Sequence, residues 1–569
     1  MRLLGHLLGQ HCSPGAALRR HLHPTIARHL KLCTAASSNE SFTSSPYPPL
    51  EPIPSSSNIV SLVTQDWPRF GDRLAIADGV TGERRTFSEL QARMDAFTQH
   101  LIDLGLRRGQ RIALVSPNHP DYVVVLLSAV QLGLTISPMN PTLNANEMEV
   151  QLDDADILMV VASPACPQAL EAAGRVASVR ELLVMGPELD AILGSGRAAP
   201  VLDSVPADEM AILPYSSGTT GKPKGTMLTH RNIMANVLQM VPAEGAFLGA
   251  DDVVLSPGPM FHIYPLVVGL LLNLWRGVPY VTMSGPFSIS KMCSIVAEYR
   301  VTRCHASPPI VQMLAKSSEV SIESLATLRM VLCAAAPLYA ALEEECAARL
   351  GCPVKQAWGM SELSPVGLFT PDDGLRGGTL GLVVPSTDVK IAAIDADGGV
   401  DARAAAVPRG EQGELLIRGP QVMQGYLNAP EKTAECMLDD GWMRTGDVAV
   451  MDADGYLFIR DRLKELIKYK GHQVAPAELE DILCTHPAVS DAAVIPIEDV
   501  MAGELPRAYV VLKPGEVAGA DDIVRFVDER VSAFKKLRGG AIIVDSIPKT
   551  GSGKILRRLV LQQDRARSS

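Results

Sequence analysis

The sequence predicts an α/β fold, with a large N-terminal domain of mainly parallel sheets and a small C-terminal α+β domain. Three observations support this prediction. The 569 residues are too many for one compact core. From about residue 58 to 455, short β-rich apolar runs alternate with segments of helical period, as parallel sheets require. From about residue 465, strand and helix patterns follow in quick succession over about 100 residues, enough for an independent domain.

The individual elements are predicted from the period of their apolar residues. An apolar helix around 122–132 lies between predicted strands, and polar helical segments separate the others. The predicted strands are RIALVSPN (111–118), TISPMNP (135–141), ILMVVAS (157–163), MAILP (210–214), DAAVIPI (491–497), RAYVVLKP (507–514) and GAIIVDSIP (540–548). The predicted C-terminal helices are PAELEDILCTHPAV (476–489) and DDIVRFVDERV (521–531).

These patterns divide the chain into four segments. Residues 1–45 form a leader and linker, residues 46–460 the large domain, residues 461–464 a hinge, and residues 465–569 a mobile C-terminal domain. The basic stretch at 461–470, DRLKELIKYK, separates the two domains and is the expected linker.

Composition excludes several classes of protein. Apolar residues make up 47% and charged residues 20%, which is typical of a globular protein. The net charge is -11, so a nucleic-acid partner is not expected. The ten cysteines show no C-x-x-C pair, so neither zinc nor a disulfide scaffold is indicated. The longest apolar stretches, 123–136 and 263–275, are shorter than the roughly 18–20 residues of a membrane span, so none is expected.

The first residues have the composition of a mitochondrial transit peptide. Residues 1–39 contain five Arg or Lys residues among Leu and Ala and no acid. A disordered basic tail and a secretory signal are the alternatives, but His6, Gln10 and His11 interrupt the apolar run that a secretory signal needs. We expect import into the mitochondrial matrix. The last residues, RARSS, do not match the S-K-L peroxisomal signal; peroxisomal and cytoplasmic locations remain the alternatives.

The clearest local motif is YSSGTTGKPKG at residues 215–225, directly after a predicted strand. Its glycines allow tight turns, its hydroxyl and N–H groups supply hydrogen-bond donors, and Lys222 and Lys224 supply positive charge. The motif therefore predicts a loop that binds a polyphosphate. It differs from a Walker A loop, because its glycines are too closely spaced and Pro223 stands where Ser or Thr would bind magnesium.

Six motifs together resemble the adenylate-forming superfamily. They are the loop at 215–225, QAWGMSE (356–362), TGD (445–447), DRLK (461–464), YKGHQVAP (469–476) and PKTGSGK (548–554). The resemblance covers about residues 58–560. Within the superfamily it is strongest to the 4-coumarate:CoA ligase and luciferase-like branch, through PMFHIYPL (259–266), LSPVG (363–367) and KELIKYKGHQVAPAELE (464–480).

The resemblance implies an acid:CoA ligase that works in two steps. A carboxylate attacks the α-phosphate of ATP to give acyl-AMP and pyrophosphate, and the CoA thiol then displaces AMP. Mg²⁺ is the implied cofactor, and carboxylic acid, ATP and CoA are the implied small-molecule substrates. The resemblance also implies that the C-terminal domain rotates about residues 461–464 between the two steps. It implies nothing about oligomeric state.

Site residues are carried over from the family motifs. Lys554 is the catalytic cation, Glu362 the Mg²⁺ ligand, and His262 a residue at the mouth of the acyl site. The implied acyl-binding residues are His262, Tyr264, Leu332 and Gly359, and the implied CoA-binding residues are Lys470 and Gly471. The implied ATP-binding residues are Ser216, Ser217, Gly218, Thr219, Thr220, Lys224, Ala335, Ala336, Pro337, Gln356, Ala357, Trp358, Gly359, Met360, Ser361, Asp447, Arg462, Lys464, Lys468, Gln473 and Lys554.

Several positions depart from the family pattern. Leu332 stands where hydroxycinnamate ligases commonly have a Lys, which favours an apolar acyl tail over a phenolic oxygen. Trp358 replaces the usual Tyr, Ala357 narrows the adjoining space by a methyl group, and Ser361 replaces Thr. MSGPF at 283–287 lacks the lysine of the M-P-K-F that plant ligases tend to show. We therefore expect an aryl or medium-chain acyl substrate.

Three other functions share these motifs. A luciferase-like oxygenase would form an acyl-adenylate and oxidise it. A carrier-loading adenylase would transfer the acyl group to a phosphopantetheine protein. A non-catalytic nucleotide-binding protein would release no pyrophosphate with any acid, although the intact Lys554, Glu362 and phosphate loop argue against it.

Overall fold

The computed structural model describes residues 42–216, 223–242, 248–395, 399–401, 405–470, 472–499, 501–550 and 553–568. Three sheets form from strands up to residue 462, and a fourth forms from strands after it. We call residues 42–462 the N-terminal region and residues 463–568 the C-terminal region. The predicted α/β class is confirmed, whereas most of the predicted leader lies outside the described residues.

The strands in chain order are β1 (Thr43–Ser44), β2 (Leu74–Asp78), β3 (Arg84–Thr86), β4 (Arg111–Val115), β5 (Thr135–Met139), β6 (Ile157–Ala162), β7 (Glu181–Val184), β8 (Met210–Ile212), β9 (Tyr215–Ser216), β10 (Lys224–Thr229), β11 (Val254–Ser256), β12 (Tyr280–Thr282), β13 (Arg303–Ala306), β14 (Met330–Cys333), β15 (Val354–Gly359), β16 (Val366–Phe369), β17 (Leu382–Val383), β18 (Asp388–Ala392), β19 (Gln412–Arg418), β20 (Gly425–Tyr426), β21 (Met443–Met451), β22 (Leu457–Arg462), β23 (Ile467–Tyr469), β24 (His472–Val474), β25 (Val489–Asp499), β26 (Gly503–Leu512) and β27 (Ala541–Ile543).

The α-helices in chain order are α1 (Ile59–Thr64), α2 (Trp67–Phe70), α3 (Phe87–Asp103), α4 (Tyr122–Gln131), α5 (Ala145–Asp154), α6 (Pro167–Ala173), α7 (Pro187–Leu193), α8 (His230–Gln239), α9 (Leu272–Arg276), α10 (Ile289–Tyr299), α11 (Pro308–Lys316), α12 (Ala340–Leu350), α13 (Pro430–Cys436), α14 (Pro476–Cys484), α15 (Ala520–Asp528) and α16 (Arg557–Ser568). A π-helix, Pro265–Leu271, runs into α9, and 3₁₀ segments occur at Glu323–Leu325, Ser361–Leu363, Leu463–Glu465 and Ala533–Lys535.

Two large sheets form the frame of the N-terminal region. One has the strand order β17-β16-β15-β14-β13-β11-β12-β2-β3, and its strands from β15 to β2 are parallel. The other has the order β20-β10-β8-β5-β4-β6-β7 with β9 beside β10, and its strands from β8 to β7 are parallel. In parallel sheets, functional groups gather at the carboxyl ends of the strands.

The third sheet of the N-terminal region differs from the expected parallel arrangement. Its order is β1-β18-β19-β21-β22, and its neighbouring strands are antiparallel. Antiparallel neighbours need no crossover helix between them, which agrees with the scarcity of helical pattern between residues 380 and 462. The fourth sheet, β24-β23-β26-β25 with β27 beside β26, forms the C-terminal region.

Local sequence explains where the main helices begin and which of them are buried. Thr86 and Glu89 form a capping box at the start of α3, and Thr229 and Asn232 form one at the start of α8. Helix α4 is apolar on all sides, and its residues 122–130 are buried, as expected of a helix enclosed by other layers. No helix among the described residues is long and apolar enough to cross a membrane.

The buried apolar residues form separate cores in the two regions. The largest core joins α4, the π-helix and the strands of both large sheets, and a second lies on the other face of the nine-stranded sheet. The C-terminal region has its own core around β23, β25, β26 and α14. Separate cores fit the predicted division into two domains, whose boundaries remain a prediction.

Candidate active site

A cluster of charged and aromatic side chains is formed by residues from four parts of the chain. Strand β15 supplies Trp358 and leads into the 3₁₀ segment that carries Glu362, and β21 supplies Asp447. The end of β22 supplies Arg462, and the C-terminal region supplies Lys554. The structure therefore brings together residues from four of the motifs that the sequence singled out.

The carboxylate of Asp447 is held by two donors, the Arg462 guanidinium and the Trp358 indole N–H. It is 2% exposed, its Oδ1 lies 2.6 Å from Arg462 Nε, and its Oδ2 accepts a hydrogen bond from Trp358 Nε1 at 2.9 Å. Burial raises the pKa of Asp447, while Arg462 and the indole N–H lower it in part. The register of β21 and β22 places Asp447 opposite Arg462, so the antiparallel sheet creates this pair. The predicted adenine-stacking residue Trp358 thus also orients the predicted ribose-binding carboxylate.

Glu362 is held in place by a tyrosine that the sequence did not single out. Its Oε1 accepts a hydrogen bond from Tyr426 Oη at 2.7 Å, and the carboxylate is 6% exposed. The ammonium of Lys224 lies 4.5 Å above the Tyr426 ring, within cation–π distance. Burial and the neighbouring Glu362 raise the pKa of Tyr426, which keeps its hydroxyl protonated as a donor.

The residues present fit a magnesium ion held mainly by phosphates and water. The described residues contain no cluster of three or more His, Cys, Asp or Glu residues that could enclose a metal. Mg²⁺ typically takes one or two carboxylates and completes its shell with phosphate oxygens and water. The Oε2 atom of Glu362 makes no hydrogen bond within the described part of the chain and is the oxygen that such an ion would use.

Lys554 approaches this cluster from the C-terminal region. Burial and Arg462 lower its pKa, while the negative charges of Glu465, Asp447 and Glu362 raise it. Its backbone N–H bonds to Thr550 Oγ1 at 3.1 Å, and its carbonyl accepts from the Thr550 N–H at 2.9 Å. Gly553 has a φ of +89°, and a Cβ there would lie 2.5 Å from Pro309 of α11. A glycine at position 553 is therefore needed for the lysine turn to approach the N-terminal region.

The predicted acyl-binding residues cluster around the ends of β13 and β14. Leu332 is 1% exposed and belongs to the largest core, as does the methyl group of Ala357. The Tyr264 ring stacks on His305 with centroids 6.0 Å apart. His305 is 2% exposed and pairs in register with Leu332 across β13 and β14. Because paired residues of parallel strands share a face, His305 and Leu332 lie on the same side of the sheet.

His262 lies at the surface next to this apolar region. Its ring packs on Phe261 with centroids 4.3 Å apart. Solvent reaches its side chain, yet desolvation by the surrounding protein lowers its pKa to about 4, so the imidazole is neutral at pH 7. A neutral imidazole can donate or accept a hydrogen bond, as expected of a residue at the mouth of the acyl site.

Two backbone features shape the loops between these side chains. Ala335 adopts a φ of +80°, which is strained for a non-glycine residue and is typical of functional loops. Gly359 has no room for a side chain, because a Cβ there would lie 1.9 Å from the carbonyl oxygen of Pro365. Of the other predicted residues, Ala336 and Pro337 follow β14, Gln356 lies within β15, and Met360 and Ser361 follow β15.

Some of the predicted site residues do not lie in the cluster, and others fall outside the described residues. The predicted residues outside the described part of the chain are Ser217, Gly218, Thr219, Thr220 and Gly471, together with the side chain of Ser216. Lys464, Lys468 and Lys470 are exposed, and Lys470 has a φ of +46° in the turn between β23 and β24. The Gln473 amide donates to the carbonyl of Asp395 at 2.9 Å rather than to a residue of the cluster. The nucleotide and CoA roles of these residues remain predictions.

Sequence reasoning missed Tyr426 and His305. Gly425, which adopts a φ of +147°, could have indicated a turn directly before Tyr426. Nothing in the sequence links Tyr426 to Glu362, which lies 64 residues away. His305 lies in a strand of otherwise ordinary pattern, and only the pairing of β13 with β14 places it beside Leu332.

Comparisons with known proteins agree with this geometry. The family model described as AMP-binding enzyme matches residues 63–427, and the model of the AMP-binding enzyme C-terminal domain matches residues 478–554. The chain is 38% identical over 500 residues to 4-coumarate–CoA ligase 5 of Oryza sativa subsp. japonica, with 86% of this chain and 91% of that protein covered.

Two solved structures are similar over most of their length. ATP-bound MatB from Rhodopseudomonas palustris aligns with a TM-score of 0.80 and 26% identity, with 89% of this chain and 99% of that chain covered. A benzoate CoA ligase from Burkholderia xenovorans LB400 aligns with a TM-score of 0.79 and 27% identity, again with 89% and 99% covered.

Proposed function

The chain belongs to the family of AMP-binding enzymes and is an ATP-dependent acid:CoA ligase, and we propose that its acid is an aryl or medium-chain carboxylic acid. The observation that best supports the chemistry is that Tyr426 holds Glu362, that Arg462 and Trp358 hold Asp447, and that both acids act on the charge of Lys554. Catalysis in such a site depends on positioning and on the stabilisation of charge that develops on phosphate and carbonyl oxygens.

The first step joins the carboxylate oxygen to the α-phosphorus of ATP, and the bond to pyrophosphate breaks. In this proposal Lys554 neutralises negative charge on the carboxylate and the α-phosphate, because its ammonium enters the cluster from the C-terminal region. Asp447, held by Arg462 and Trp358, accepts hydrogen bonds from the ribose hydroxyls. In the second step the CoA thiol attacks the acyl carbon, and AMP leaves.

We propose that Mg²⁺ assists the first step. When bound, the ion neutralises phosphate charge and orients the phosphate oxygens. Glu362 would hold it through Oε2, and Tyr426 would fix the orientation of the carboxylate through Oε1. Lys224 lies close enough to the Tyr426 ring to contribute positive charge on the same side of the site.

The acyl substrate is proposed from the residues around β13 and β14. Leu332 and Ala357 are buried apolar side chains in this part of the core, which favours an aromatic ring or an alkyl chain beside them. Tyr264 and His305 add polar atoms beside this surface. An acid with an apolar body therefore suits these surroundings better than a highly charged one.

Pyrophosphate release tests the proposal directly. The purified enzyme is given ATP, Mg²⁺ and a panel of cinnamates, benzoates and C4 to C16 acids, each with and without CoA. We expect pyrophosphate with at least one aryl or medium-chain acid, and a thioester only when CoA is present. Pyrophosphate with oxidation and no thioester would select an oxygenase, and no pyrophosphate with any acid would reject adenylation.

We also propose that the enzyme works in the mitochondrial matrix. The support is the basic, acid-free composition of residues 1–39. A fluorescent protein fused after residues 1–45 tests this proposal, since it should enter mitochondria. A matched fusion in which Arg2, Arg19, Arg20, Arg28 and Lys31 are replaced by Gln should remain in the cytosol. Equal distribution of the two fusions would contradict it.

A further inference from the structure

A hydrogen bond between two side chains joins the N-terminal and C-terminal regions near the active site. Tyr339 lies directly before α12, and its Oη donates to Glu480 Oε2 of α14 at 3.2 Å. The two residues are 141 positions apart in the chain. Tyr339 follows Pro337 by two residues, so it lies at the end of a loop that the sequence assigns to nucleotide binding.

Glu480 is a buried carboxylate whose other donors come from its own region. It is 1% exposed, and its Oε1 accepts from the Val494 N–H at 2.8 Å. Arg557 Nη1 lies 2.9 Å from Oε1, and Nη2 donates to Oε2 at 3.1 Å. Tyr339 adds a donor from the N-terminal region, and burial together with Glu480 raises its pKa well above the usual range, so the hydroxyl remains protonated.

Arg557 connects this carboxylate to Lys554 and to the hinge. Its Nε lies 2.9 Å from Glu465 Oε2, and Glu465 ends the 3₁₀ segment that follows Arg462. Arg557 is the first residue of α16 and follows Lys554 by three residues. A guanidinium fixed on two carboxylates therefore anchors the segment that carries the catalytic lysine.

We propose that Tyr339 is a positioning residue for acyl-adenylate formation. Through Glu480 and Arg557, it favours the arrangement of the two regions in which Lys554 lies among the acids of the active site. Losing the hydroxyl slows the adenylation step, which needs this arrangement. Transfer from supplied acyl-AMP to CoA is not slowed, because its carboxyl group is already activated. The inference rests on the proposed function.

A second tyrosine provides a matched control. Tyr509 Oη donates to Asp564 Oδ1 at 2.7 Å, and Arg507 Nη1 lies 2.8 Å from the same oxygen. The Tyr509 cluster thus has the same chemistry of tyrosine, carboxylate and arginine, but it lies wholly within the C-terminal region. Tyr509→Phe removes the same kind of bond without touching the contact between regions.

The test compares Tyr339→Phe and Tyr509→Phe in the two half-reactions. Adenylation is measured by acid-dependent exchange of pyrophosphate into ATP, and transfer by thioester formation from synthetic acyl-AMP and CoA. A hydrogen bond to a charged group is worth enough to change a rate by about tenfold. We expect Tyr339→Phe to slow adenylation by up to about tenfold with transfer unchanged, and Tyr509→Phe to leave the ratio of the two rates as in the wild type.

The outcomes separate this inference from the proposed function. If Tyr339→Phe leaves adenylation unchanged, or slows both half-reactions equally, the positioning role is wrong. If the wild-type enzyme exchanges no pyrophosphate with any acid, the proposed function itself fails.

Discussion

Replacing Tyr426 by Phe tests whether this hydroxyl prepares Glu362 for magnesium. Phe keeps the ring beneath the Lys224 ammonium and removes only the Oη donor that lies 2.7 Å from Glu362 Oε1. A hydrogen bond to a buried carboxylate is worth about 1.5–3 kcal/mol, which corresponds to about 10- to 150-fold in an equilibrium constant. Removing a group that orients a metal ligand typically lowers metal affinity by about 10- to 100-fold. We therefore expect the apparent Mg²⁺ affinity to fall by about 10- to 100-fold.

The assay is pyrophosphate release at saturating ATP and acid over a titration of Mg²⁺. Activity of Tyr426→Phe should recover at high Mg²⁺, because the ligand remains and only its orientation is lost. Tyr509→Phe is the control, since it loses a hydroxyl–carboxylate bond of the same length at Asp564. If Tyr426→Phe lowers activity by one factor at every Mg²⁺ concentration, the link from Tyr426 to the metal through Glu362 is refuted.

Three further changes test other parts of the site and the core. Lys554→Ala should slow adenylation by about 100-fold or more while transfer from supplied acyl-AMP continues; equal loss in both assays would reject the assigned role. Trp358→Phe removes a donor that lowers the pKa of Asp447, so that pKa should rise and the acidic limb of the pH–rate profile should move to higher pH. The same variant should raise the KM for ATP by about tenfold, and an unchanged profile would contradict this reasoning. Lys355→Met removes one of the two cations that contact the buried Asp372, and because Arg303 still pairs with that carboxylate it should lower stability by about 1.5–3 kcal/mol in urea unfolding, without changing the KM for ATP.

Local motifs carry much of the information about the reaction. The motifs that contain Lys554, Glu362 and Asp447 are short, and their resemblance to family motifs is what implies the roles of these residues. The positions of strands and helices can also be predicted from the sequence, because the spacing of apolar residues shows which face of each element is buried. Helix α4 and strands β4 to β6 lie where those periods indicate.

The antiparallel sheet of the N-terminal region was not predicted. Four of its five strands, β18, β19, β21 and β22, come from a segment in which apolar runs are interrupted by Gly, Asp and Pro. Such a pattern indicates that strands are present, but it does not indicate which strands pair with each other. Pairing is decided by how each strand buries one face against the rest of the protein. The Asp447–Arg462 ion pair follows from that register.

Short stretches of sequence therefore establish the chemistry of this protein, because a carboxylate, a lysine or a glycine turn is chosen for what it does locally. The partners that orient these groups come from elsewhere: Tyr426 for Glu362, Trp358 for Asp447, and Tyr339 for Glu480. These contacts join residues between 64 and 141 positions apart. No local period encodes them, since they exist only once separate sheets and regions have packed against one another.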